Sequence, residues 1–277
     1  MVVIGAGYLG KRISDYFNCL LVSKDQVDAT DLSQVKKLFD LEKPQIVINA
    51  IGKTGGPGAI GVDWCENHKE ETTQSNIVAA INICTEAAIR GIYFIHLGSG
   101  CIYEGDNAGK GFSEEDKPNF EGQFYSKTKS EAERILKHFP GLILRIRMPI
   151  DNISNPRNLI DKLKGYPRVI DIQNSMTTIP DMLVTMEQMI KMRIEGVYNF
   201  VNPGTISAAE IMKMYQEIVD PNHNFEIITG QDLEKIVKAR RSNCMLDSTK
   251  LSRLGISMPG IRIAVEKCLR DYRSKIN

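Results

Sequence analysis

Met1-Val2-Val3-Ile4-Gly5-Ala6-Gly7-Tyr8-Leu9-Gly10 opens the chain. Val2, Val3 and Ile4 form a short β-branched run of the kind that fills a strand buried on both faces. Three glycines spaced GxGxxG follow at once, and Tyr8–Phe17 reads as an amphipathic helix. Strand, glycine turn and helix in that order make a dinucleotide fingerprint, because the glycines let backbone approach a pyrophosphate at the positive end of the helix. A ligand-free tight turn is the plain alternative. In this reading Gly5, Gly7, Tyr8, Leu9 and Gly10 contact the cofactor.

Outward from that turn the alternation continues. Leu20–Ser23, Ile46–Ala50, Tyr93–Leu97 and Leu142–Ile146 read as buried strands, with helical patterns over Ser33–Leu41, Glu70–Ile89 and Ser126–His138 between them. A β-α-β-α order predicts an α/β fold with a doubly wound parallel sheet. Asp31 suits the N-cap of the second helix and Pro44 ends it. After about residue 147, Pro149, Pro156 and Pro167 break the rhythm; a helix at Ile179–Met192, a strand at Val197–Val201 and short helices from Ser207 follow.

At the end of the second strand, where a carboxylate would hold the ribose 2′-hydroxyl of NAD, Ser23-Lys24 stands instead. A hydroxyl and an ammonium suit a 2′-phosphate. NADPH is therefore the expected cofactor, with NADH the alternative.

Thirty-five Lys and Arg against 34 Asp and Glu leave a net charge of +1, which argues against nucleic acid or an anionic membrane as the main partner. No apolar run in the 277 residues approaches the ~20 needed to span a bilayer, and no secretory leader is evident at the N-terminus, so the expected location is cytoplasmic. The six cysteines form no CxxC pair and the four histidines are not clustered with them, so no metal site is expected.

Tyr125 and Lys129 lie four apart, on one face of a helix that follows the fourth strand. An ammonium beside a phenol would favour the tyrosinate and make Tyr125 a proton donor and acceptor near neutrality. Ser99, just past the fourth strand, is a hydroxyl that could bind the same substrate oxygen.

GxGxxG, Asn49-Ala50-Ile51-Gly52, Ser99 and Tyr125…Lys129 together resemble the extended short-chain dehydrogenase/reductases. Within them the chain is similar to the rhamnose-forming nucleotide-sugar reductases, and most to the bifunctional UDP-4-keto-6-deoxyglucose 3,5-epimerases/4-reductases. Val62–Glu66, Gly100–Glu104, Phe112–Asp116, Phe124–Lys129, Arg145–Ile150, Asn155–Asn158 and Arg241–Asn243 carry the finer likeness. The resemblance implies a Rossmann domain at 1–147, with 171–200 returning to it. It implies a smaller C-terminal α/β substrate-binding lobe from 148–170 and 201–277.

The implied activity is NADPH-dependent 3,5-epimerisation and 4-reduction of an NDP-4-keto-6-deoxyglucose, with UDP favoured, giving NDP-β-L-rhamnose. Ser99, Tyr125 and Lys129 are the implied reductase residues. Cys101 falls where GDP-fucose synthase, a related double epimerase, has a Cys, and Lys162 where it has a His; these are the implied acid/base pair. Asp31, Leu32, Ala50, Gly52, Thr54 and Met148 are implied on the cofactor, with Asn76 holding the active-site geometry; Gly100, Asn158, Arg241 and Asn243 are implied on the nucleotide sugar. The resemblance also allows a homodimer and implies an NDP-glucose 4,6-dehydratase as functional partner. Two departures stand out. The glycine loop is one residue shorter than the family's GxxGxxG, and Lys53–Gly61 is longer than in the plant proteins, with Gly56 in place of Arg.

Three other readings compete: a 4-reductase alone, a non-catalytic regulatory subunit of the same fold, and an NAD-retaining epimerase or dehydratase. Cys101 and Lys162 speak against the first, an intact Ser99/Tyr125/Lys129 set against the second. Gly100-Cys101, standing where dehydratases carry Asp-Glu, speaks against the third.

Overall fold

The β-branched runs become the inner strands of one sheet. A computed structural model describes residues 1–276 except 57, 58, 236, 238 and 239. Its six-stranded sheet has the spatial order Leu20–Val22, Val2–Ile4, Ile46–Asn49, Tyr93–Ser99, Leu142–Ile146, Gly196–Asn199. Val2–Ile4 pairs in parallel with both Leu20–Val22 and Ile46–Asn49, and Ile46–Asn49 pairs in parallel with Tyr93–Ser99. The chain winds outward from Val2–Ile4 first one way and then the other, so the switch point lies between that strand and Ile46–Asn49. Ligands of such sheets bind beyond the strand ends at that point.

The chain divides into two units. The first comprises Met1–Ile102, Phe120–Arg145 and Ile190–Tyr198; the second comprises Tyr103–Asn119, Ile146–Met189 and Asn199–Asn277. These units differ from the expected boundaries. The returning segment is 190–198 rather than 171–200, because Ile179–Lys191 belongs almost wholly to the second unit. Tyr103–Asn119 also joins the second unit, which is no smaller than the first.

In the first unit the sheet packs on helices through Val2, Ile4, Val35, Phe39, Val47, Ile83 and Phe94, all nearly or wholly inaccessible to solvent. Asp31 caps the Leu32–Glu42 helix, its carboxylate accepting from Ser33 N at 2.9 Å. The pattern over Glu70–Ile89 is not one helix. Lys69–Thr73 and Ala79–Ile89 are α-helical, and Gln74–Val78 between them is a π turn.

The second unit has its own core, built on Ile150, Ile160, Met176, Ile211, Met212 and Val265. Arg168–Ile170 pairs in parallel with Glu226–Ile228. Ser207 and Glu210 form a reciprocal capping box at the start of the Ala208–Ile218 helix. No described helix is long and apolar enough to cross a membrane.

Candidate active site

A cavity of about 520 Å³ opens in the first unit over the glycine turn, lined among others by Gly5, Gly7, Ser23, Lys24, Ala50 and Gly52. Each glycine has a different reason to be one. Gly5 has φ +114°, and a Cβ there would lie 2.7 Å from Ile51 N. A Cβ at Gly10 would lie 1.9 Å from the Gly5 carbonyl oxygen, so Gly10 allows the helix to pack against the turn. A Cβ at Gly7 would meet nothing within 4 Å. Gly7 N-caps the Tyr8–Phe17 helix without any side-chain cap, so the cavity floor is bare backbone at the positive end of a helix. That floor fits a dinucleotide pyrophosphate.

Several cofactor expectations do not gather at this cavity. Asp31 is engaged as a helix cap and Leu32 is exposed, and neither lines the space. Thr54, Tyr8, Leu9 and Gly10 are likewise outside the lining, Gly10 because its place is inside the turn. Met148 belongs to the second unit, at φ +42°, packed on that unit's own core. Conversely Asp28, Lys53 and Glu71 line the cavity. Lys24 lies 3.8 Å from Asp28, four residues on.

The reductase residues meet in the first unit. Ser99 ends the Tyr93–Ser99 strand, and its Oγ accepts from Cys101 N at 3.1 Å. Its hydroxyl also bonds Tyr125. Tyr125 is in the first turn of the Phe124–Leu136 helix. Burial pushes its phenol above the ordinary range; the nearby Cys101 and Cys65 add to that, and only the Ser99 bond opposes it. Lys129 sits one turn on, 4% exposed, donating to Leu97 O at 2.8 Å and lying 3.2 Å from His96 Nε2. Burial lowers Lys129 to about 8, although Glu133 works the other way. The expected lowering of Tyr125 by an adjacent ammonium is therefore not the balance here: the amine is turned to Leu97 and His96, and desolvation of the phenol dominates.

Asn76 explains the π turn. Its Oδ1 accepts from Lys53 N at 2.7 Å and its Nδ2 donates to Thr128 Oγ1 at 3.0 Å, and Thr128 Oγ1 in turn donates to Tyr125 O at 2.8 Å. One amide thus ties the loop after the third strand to the helix that carries Tyr125. The loop's longer part folds back as Gly55–Gly56 against Ala59–Ile60, while Pro57 and Gly58 lie outside the described residues. A Cβ at Gly56 would sit 2.4 Å from the Trp64 indole. Trp64 itself stacks on His68 at 3.7 Å, which makes it a packing residue.

Gly100 follows Ser99 in the first unit, and the expected residues that remain are in the second. Asn158, expected on the substrate, serves here as a structural cap. It is fully buried, accepts from Asp151 N and Ile160 N, and donates to Asp151 O and Ile153 O. It thereby holds the start of the Leu159–Lys164 helix, which bears Lys162. Burial lowers Lys162, with Arg157 adding to the effect. Arg241 and Asn243 are half-buried beside a support that sequence reasoning did not single out. Buried Arg147 donates to Ser242 Oγ at 2.9 Å, Ser242 O at 2.6 Å and Asn174 Oδ1 at 2.5 Å, and Asn174 bonds Asn243.

His96 was also missed. The signal was a lone imidazole inside an otherwise apolar strand run, which has to find partners when buried.

Residues 3–274 match the family model described as RmlD substrate binding domain. The chain is 43% identical over 216 residues to a bifunctional dTDP-4-dehydrorhamnose 3,5-epimerase/dTDP-4-dehydrorhamnose reductase of Arabidopsis thaliana, covering 76% of this chain and 71% of that one. It is 41% identical over 218 residues to a trifunctional UDP-glucose 4,6-dehydratase/UDP-4-keto-6-deoxy-D-glucose 3,5-epimerase/UDP-4-keto-L-rhamnose-reductase of the same plant. That match covers 76% of this chain but only 32% of the longer one. Among solved structures, the L780 UDP-rhamnose synthase of Acanthamoeba polyphaga mimivirus superposes with a TM-score of 0.92 at 34% identity, over 98% of both chains.

Proposed function

Since the chain belongs to the RmlD substrate binding domain family, we propose that it is an NADPH-dependent reductase of a 4-keto-6-deoxy nucleotide sugar that also epimerises C3 and C5, forming an NDP-β-L-rhamnose. UDP is the favoured nucleotide, as in the names of the trifunctional relative and of the viral enzyme. The observation that carries the reading is Ser99 bonded to Tyr125 at a strand end, one helical turn from a buried Lys129, within the unit whose glycine turn opens on the cavity.

Gly7 and the bare helix start would hold NADPH, which would supply the hydride. Tyr125 gives its proton to the oxygen at C4 as the ketone becomes an alcohol. Ser99 Oγ accepts from Cys101 N and bonds Tyr125, and its hydroxyl would turn to the same oxygen as charge develops there. Ser23 and Lys24 would hold the 2′-phosphate, Lys24 lying 3.8 Å from Asp28.

The ketone acidifies the protons at C3 and C5, and Cys101 and Lys162 are the acid/base groups for their exchange. A Lys that is to act as base must lose its proton within reach of neutrality, and burial beside Arg157 moves Lys162 in that direction. A dehydratase supplies the ketosugar, either as a separate chain or joined as in the trifunctional relative.

Incubating the ketosugar in D₂O tests the epimerase half. Wild type takes up deuterium at C3 and C5; Cys101→Ser and Lys162→Met each abolish one or both exchanges while still reducing a substrate supplied already epimerised. Wild-type exchange in both variants would take Cys101 and Lys162 out of the exchange, and no exchange in the wild type would leave a 4-reductase alone.

A further inference from the structure

His96 is 1% exposed in the middle of the Tyr93–Ser99 strand, and both of its ring nitrogens have partners. Asn49 Nδ2 lies 3.1 Å from Nδ1 and Lys129 Nζ 3.2 Å from Nε2. The direction of each bond follows from what each group can do. A backbone N–H only donates, so the Asn49 atom 3.0 Å from Ile51 N is its carbonyl oxygen. The Asn49 group facing His96 is then the NH₂, a donor, and Nδ1 accepts. A neutral imidazole has one N–H, which this leaves on Nε2, aimed at Lys129. An ammonium has three donors and no acceptor, so two donors would face each other across that gap. A neutral amine has a lone pair: it accepts from His96 and still donates to Leu97 O at 2.8 Å.

We propose that Asn49 and His96 form a fixed-tautomer clamp that holds Lys129 only as a neutral amine, so that gaining a proton releases Lys129 from His96 toward Tyr125. The proposal rests on the reading of Tyr125 and Lys129 as the proton-handling pair; Asn49 and His96 are positioning residues within it.

The surroundings agree. Glu133, on Lys129's own helix, favours the ammonium, but Arg145 from the Leu142–Ile146 strand holds it at 2.6 and 2.9 Å and answers its charge. Tyr125 faces from the same helix and Ser99 from the strand that carries His96. Complete burial holds His96 well below its ordinary range, so the ring stays neutral and its single proton is committed. With Lys129 lowered to about 8, the amine changes charge near the pH of use. Each change then moves it between two partners: His96 when neutral, and the Tyr125 oxygen one turn away when charged.

Imidazole ¹⁵N NMR on the full chain tests this without any turnover. Across roughly pH 6 to 9, His96 of the wild type should carry its proton on Nε2 and none on Nδ1. A proton on Nδ1, or an imidazolium, overturns the clamp. Asn49→Asp presents only acceptors, moving the proton to Nδ1 and giving Lys129 an acceptor at Nε2. Asn49→Leu frees the tautomer without adding charge. In both, ¹³Cε of Lys129 should titrate at higher pH, with proton affinity raised about tenfold or more in Asn49→Asp and less in Asn49→Leu. An unmoved titration in a variant whose tautomer has switched also overturns it. The wild-type spectrum decides the matter if neither variant folds. If these spectra hold and no variant, nor the wild type, reduces a ketosugar, the clamp stands and the reductase reading falls.

Discussion

Tyr125 must surrender a proton from a site that burial has made reluctant to ionise. A phenol held in its neutral form is a donor ready for an oxyanion, which is what reduction of a ketone demands at C4. Tyr125→Phe keeps the ring and removes the proton. We expect it to lose about 10²- to 10⁴-fold in kcat while binding NADPH as before, checked by single-turnover absorbance and a fluorescence titration of the cofactor. Lys129 carries the opposite cost. Its folded-state value is lowered from 10.5 to about 8, so below pH 8 the folded chain holds a charge in a dry site. That disfavours folding by about 3 kcal/mol, and the loss is recovered as pH rises from 8 toward 10.5, where only the unfolded chain still binds the proton. Lys129→Met should therefore be more stable than wild type at pH 7 and should lack the rise above pH 8, measured by urea denaturation at several pH values. Tyr125, Lys129 and Ser99 could be picked out by spacing and a strand end, whereas Cys101 came from the family resemblance alone. His96 and Asn49 could not be picked out, because their importance comes from partners on neighbouring strands and a helix far along the chain.

The glycine turn shows how one element divides its work. Gly10 has no room for a Cβ, whereas Gly7 has nothing within 4 Å. Gly10→Ala should therefore destabilise the fold by about 1 to 3 kcal/mol, seen as a lowered Tm without cofactor. Gly7→Val should leave that Tm close to wild type yet weaken NADPH binding, because its side chain enters the space over the helix N-terminus. Equal effects from the two variants would contradict this division. The inner strands and most helices could be placed from their residues, since β-branched runs and helical spacing are local properties. The π turn at Gln74–Val78 could not. No pattern in Gln74-Ser75-Asn76-Ile77-Val78 announces it; it follows from Asn76 being drawn to Lys53 and Thr128. The same holds for Asn158, whose motif matched a substrate contact but whose amide is engaged by four backbone groups.

At the scale of the molecule, two cores of separate composition underlie the two units, and the chain passes between them several times. Such returns are set by which core an amphipathic face finds, so the segments 103–119 and 190–198 were not separable by composition alone. His96 links the first unit's core to pH. Its ring is neutral when folded, so as pH falls through 6.5 the unfolded chain binds a proton that the folded one refuses. Stability should drop by up to about 1.4 kcal/mol per pH unit below that point from this residue alone. His96→Phe should flatten that part of the curve, measured by thermal melts between roughly pH 5 and 7. The central claim concerns the whole chain acting on one substrate. The most direct measurement is to incubate it with NADPH and UDP-4-keto-6-deoxyglucose, follow absorbance of the reduced nicotinamide, and identify the sugar by NMR. The account predicts NADPH oxidation matched by formation of UDP-β-L-rhamnose; an unconsumed cofactor beside unaltered ketosugar would contradict it.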